Sequence, residues 1–187
     1  MLTIDTYAVN HLTILLMGER TKYGYLYTRV IEEKLTFLVR MTPREVLEHT
    51  LTSVGSDLKG AIKSARSILG NGYMYPIIVN PYQEICMFPT HSPSADHCIW
   101  INPKHIVNAD KKGSQTITTF SNYIIMPIDL GHQAFSTKRY QAHRLLESTK
   151  ENGHKVRVIT SENQKYYQVI REDNGIYNFD IFKDMEN

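Results

Sequence analysis

The sequence predicts an α+β fold: a mostly antiparallel sheet with a helix pair near 43–69 and a further helix near 132–151. Three observations predict it. Apolar and polar residues alternate in short runs across residues 12–39. The spacing switches to a helical period at residue 42, directly behind a capping signal. Residues 132–151 then place Phe135, Ala142, Leu145 and Leu146 on one helical face.

In chain order, residues 6–40 read as strands. Leu12, Ile14 and Leu16 alternate, then Tyr23, Tyr25 and Tyr27, then Leu35, Phe37 and Val39. Period two with aromatic and β-branched residues marks a half-buried strand. Turns are expected at Gly18-Glu19-Arg20 and Glu32-Glu33-Lys34. Thr42-Pro43-Arg44-Glu45 is a capping box with proline at the first helical position, and Leu47, Leu51 and Val54 follow at helical spacing. Gly55 interrupts that helix. Asp57 caps a second one, whose stripe is Leu58, Ala61, Ile62, Ala65 and Leu69. Residues 75–89 read as two apolar strands around an Asn80-Pro81 turn, apolar on both faces and so central to the core. A polar loop, 90–97, leads to a short strand at Ile99-Trp100-Ile101. Two more strands are expected at 115–120 and 123–128. Asn152-Gly153 should close the last helix, and 155–182 reads as short strands or a strand plus a helical turn.

A chain of 187 residues is long enough to bury a core without staples. With no repeat or linker in view, residues 1–187 are expected to form a single domain. Two cysteines, Cys86 and Cys98, make no disulfide framework, which fits a reducing cytoplasm. Met1–Asp5 holds no basic stretch and no long apolar run, so neither a signal peptide nor a membrane partner is expected. The net charge of +2 is uneven: residues 172–187 carry −4, which leaves +6 for residues 1–171. A basic body with an acidic tail permits a polyanionic partner without demanding one.

Two basic clusters are candidate DNA contacts. Lys59, Lys63 and Arg66 share one face of the second helix. Lys138, Arg139 and Arg144 lie in the most basic stretch of the chain. A solvated helix face explains either cluster equally simply. The pair of helices joined at Gly55 superficially resembles a helix-turn-helix, but any two helices joined at a glycine would match. Cys86, His91, His97, Cys98 and His105 include zinc-ligand types without a paired-ligand spacing. His91, Asp96, His97 and Cys98 offer a base and a nucleophile in one loop without an elbow motif. The Gly55–Ser64 segment fails as a phosphate loop, since no lysine follows its second glycine directly. No catalysis, metal or cofactor is therefore expected.

Between Gly55 and His105 an ordered set of residues goes further. Gly55-Ser56, Lys59-Gly60, Pro76-Ile77-Ile78-Val79-Asn80-Pro81, Ile85, Phe88-Pro89-Thr90, Ser92, Cys98, Trp100-Ile101 and His105 resemble, in order and spacing, the competence transcription factor family (ComK). Tyr7, Val9-Asn10 and Thr13-Ile14, and later Phe120-Ser121-Asn122 with Pro127-Ile128, are similar too. From about residue 132 the resemblance weakens. It implies a transcription activator of DNA-uptake genes that binds paired A/T-rich boxes of double-stranded DNA as a homo-oligomer, mainly through the minor groove. It also implies a proteolytic adaptor as a partner, although the tail holds no match to the apolar segment associated with that capture. Trp100 reads as a core anchor, with a minor-groove wedge as its functional alternative. The alternative for the whole chain is a protein-interaction regulator without strong DNA binding.

Overall fold

The computed structural model describes residues 2–154 and 167–181. The chain divides into two compact units, Met1–His154 and Lys155–Asn187. The first holds ten strands and three α-helices among the described residues; the second holds a two-stranded antiparallel pair, β11 (Tyr167–Arg171) and β12 (Tyr177–Ile181).

The first unit is built on a seven-stranded sheet. It comprises β1 (Thr3–Ile4), β2 (Thr13–Arg20), β3 (Leu26–Glu32), β4 (Thr36–Val39), β5 (Ile77–Asn80), β6 (Ile85–Pro89) and β7 (Ile99–Ile101). The order is β1-β4-β3-β2-β7-β6-β5, and every pairing except β1 with β4 is antiparallel. The expected turn at Gly18–Arg20 is a correction: β2 runs straight through it, and the chain turns at Thr21–Tyr25 instead. Gly18 is there because the backbone oxygen of Asp96 lies 2.4 Å from where a Cβ would sit. Gly24, with φ of 86°, takes the left-handed position that the turn requires.

The central strands are buried on both faces, so alternation there sorts residues between two cores. Leu16, Val30, Met87 and Trp100 meet Val46, Leu47 and Leu51 on one side. Leu15, Ile31, Cys86, Phe88 and Ile101 meet Phe135, Ala142, Leu145 and Leu146 on the other. Helix α1 (Pro43–Ser53) starts on the expected capping box: Thr42 N–H donates to Glu45 Oε2 at 2.7 Å, and Glu45 N–H donates to Thr42 Oγ1 at 3.3 Å. Helix α2 (Leu58–Leu69) starts at Asp57, whose carboxylate accepts from Gly60 N–H at 2.8 Å. Its Leu58 and Ala61 belong to the first core and its Ala65 to the second. Helix α2 therefore lies past the sheet's end and covers β5, the terminal strand. The apolar β5–β6 pair was expected at the centre of the core; β6 is wholly buried, but β5 ends the sheet.

Helix α3 (His132–His154) packs against β6 and buries the four predicted apolar residues. It continues through Asn152-Gly153, where its end is expected from the sequence. A second sheet, β10-β9-β8, lies beside it, with β9 (Gln115–Phe120) and β10 (Ile125–Ile128) near their expected positions. Strand β8 (Ile106–Lys112) has no counterpart among the elements expected from the sequence. It is almost entirely exposed after Ile106, so it shows no apolar alternation. A two-residue turn, Gly113-Ser114, joins it to β9, with Lys112 paired to Gln115 and Gly113 at φ of 60°.

Candidate nucleic-acid interface

The three cations of α2 behave as their spacing predicts. Lys59, Lys63 and Arg66 are all exposed and fall within about 60° of one another around the helix axis. The apolar residues Leu58, Ala61 and Ala65 hold the opposite side to the core. No carboxylate lies between Leu58 and Leu69. Among the described residues none of the three cations enters an ion pair with an acidic side chain. Among the described residues the result is a solvated row of three charges without acidic partners.

The three candidate cations of α3, Lys138, Arg139 and Arg144, do not form such a row. Positions 138, 139 and 144 stand at about 0°, 100° and 240° around the helix. Arg144 is exposed. Arg139 is half-buried and donates from Nη2 to the backbone oxygen of Ile106 at 3.0 Å, so it fastens α3 to the start of β8. Lys138 is half-buried on a third side, where burial pushes its ammonium pKa down. Neighbouring His143 is shifted down as well, first by burial and then by the Arg139 charge. Lys150, further along, is engaged by Glu84 at 2.6 Å. Glu84 also reaches Lys104 at 3.4 Å, and these contacts, Lys150 first, hold its carboxyl below the usual range.

Lys138 lines an open cleft of about 860 Å³ in the first unit. Tyr73 and Met74 come to it from the loop after α2, Lys111 and Gly113 from the β8–β9 hairpin, and His132 from the start of α3. Lys111 was not among the predicted contacts. No element is expected from the sequence at its strand, because an exposed polar strand has no hydrophobic period. The usable signal was Gly113-Ser114, a dipeptide suited to a two-residue hairpin turn.

The alternative chemistry in residues 86–105 is not assembled. Among the described residues no three His, Cys, Asp or Glu side chains are placed to hold a metal ion. Cys86 and Cys98 lie in different cores. Burial raises both thiol pKa values, which disfavours the thiolate a nucleophile or ligand needs. His105 is engaged with Ser121 Oγ at 2.8 Å and the backbone oxygen of His11 at 2.9 Å. Trp100 is 1% exposed, so it anchors the first core and is not a wedge.

The family model described as ComK protein matches residues 4–154. That span begins in β1 and ends with α3.

The chain belongs to the ComK family.

Its ComK match takes in all three α-helices, so α3 lies inside the family region although the motif resemblance weakens there. A curated relative, the competence transcription factor of Bacillus subtilis (strain 168), is 27% identical over 139 residues, covering 74% of this chain and 72% of that protein. No solved structure matches.

Proposed function

We propose that this ComK-family chain is a cytoplasmic transcription activator of competence genes that binds paired A/T-rich boxes of double-stranded DNA as a homo-oligomer. The observation that carries the reading is the α2 row, Lys59, Lys63 and Arg66, exposed and without acidic partners among the described residues. The name of the Bacillus subtilis relative supplies the transcriptional role. Phosphate contacts by lysine and arginine position a protein on the duplex and release counterions. A/T-rich tracts narrow the minor groove and deepen its negative potential, which favours an inserted arginine or lysine. Two boxes separated by helical turns match a symmetric oligomer.

A salt series with a two-box A/T duplex and a G/C duplex of equal length tests this. The expected result is cooperative loading with an A/T preference that survives rising salt. Replacing Lys59, Lys63 and Arg66 together by Ala should make the log–log salt slope shallower by about 3, while the fold survives. Weak binding equal for both duplexes and lost with salt would remove specific DNA recognition. An unchanged slope in the folded triple variant would remove α2 from the interface.

A further inference from the structure

Lys138 poses a problem that its own element does not solve. The lysine is half-buried, burial disfavours its charge, and no carboxylate pairs with it among the described residues. A cation taken partly out of water and left without a counter-charge is a cost that a bound anion removes. The cleft it lines draws a second lysine, Lys111, from another element, the β8–β9 hairpin. Among the described residues no aspartate or glutamate lines this cleft. Asp110, next to Lys111 in β8, accepts from Asn108 Nδ2 at 2.7 Å and is not part of the lining. Gln141 adds a neutral hydrogen-bond donor to the same walls, whereas the Thr137 hydroxyl, which also lines them, donates to the backbone oxygen of Gln133 at 2.9 Å.

We infer that this cleft seats the phosphodiester backbone of DNA, with Lys111 and Lys138 as its cationic contacts and the hairpin turn at Gly113 beside the strand. Lysine and glutamine side chains are among the groups that make such contacts. The open shape suits a continuous strand that enters and leaves. The inference rests on the DNA-binding reading and adds to it a surface separate from the α2 row.

The test uses the full chain, its Lys111→Gln/Lys138→Met double variant, and a short A/T-rich duplex. Lys138→Met keeps the apolar stem and removes the desolvated charge, so melting should show the fold intact. The expected result is a salt slope shallower by about 2, an affinity roughly 60-fold weaker at 0.1 M salt, and backbone amide shifts at Gly113, Gln133 and Thr137 when wild-type protein meets the duplex. Duplex binding with an unchanged slope and unmoved amides would overturn the cleft alone. Inorganic phosphate moving those amides while the duplex leaves them still would make this a free-anion site and also overturn it. No duplex binding by the wild-type protein would overturn the cleft and the DNA-binding reading together. Lys111→Gln alone, a change on an exposed strand, repeats the test with a shift of about 1 in slope.

Discussion

At the scale of single residues, two positions show how distant packing gives a local choice its meaning. Gly18 sits in a strand, where glycine is ordinarily unfavourable. Its lack of a Cβ admits the Asp96 carbonyl, and Arg20 pairs with the Asp96 side chain on the same loop. Gly18→Ala should therefore displace residues 93–97 and cost about 1–3 kcal/mol, read as a lower denaturant midpoint. Tyr7 is the second case. Its hydroxyl donates to Glu32 Oε1 at 2.7 Å and accepts from Asn10 Nδ2 at 3.1 Å, inside a largely buried cluster that includes Thr13. Burial, then the Glu32 carboxylate, pushes the phenol pKa far up, so the hydroxyl stays protonated and donating. Tyr7→Phe leaves the buried Glu32 with one donor fewer and should cost about 1–3 kcal/mol in equilibrium unfolding.

At the scale of elements, charge count and charge placement part company. Helices α2 and α3 each hold three candidate cationic contacts, and only α2 presents them together. A spacing of four and then three residues keeps a row on one face, whereas 138, 139 and 144 wrap around the axis. Arg139 illustrates the difference. Its half-buried guanidinium donates from Nη2 to the Ile106 carbonyl, so Arg139→Ala should lower stability by about 1 kcal/mol and leave the salt slope of DNA binding unchanged. A slope reduced by about 1 would return Arg139 to the interface.

At the scale of the whole first unit, the seven-stranded sheet separates two cores and α2 closes its end. Phe88 shows what that sandwich gains. It is fully buried, packs edge-on against Phe135 at 5.6 Å between centroids, and so joins the sheet to α3. Phe88→Ala should cost about 3–5 kcal/mol in chemical unfolding. The same layering places the two proposed binding surfaces. The α2 row rides on the helix that covers the sheet end, while the cleft is assembled from the loop after α2, the β8–β9 hairpin and α3.

The sequence alone determined the features that depend on near neighbours. The capping box at Thr42, the Asp57 cap, the shared exposed face of Lys59, Lys63 and Arg66 and the apolar face of α3 are all periodic or local signals, and the structure has each of them. So is the α+β class, because alternation and helical spacing are properties of short windows. Tertiary structure alone decided what depends on distant partners. Strand β8 exists by pairing with β9, without burial to mark it in the sequence. Lys111 and Lys138 are 27 positions apart and share a cleft only because the hairpin and α3 pack together. An exposed charge keeps the environment its own helix gives it, whereas a half-buried one takes its environment from whatever the fold brings against it.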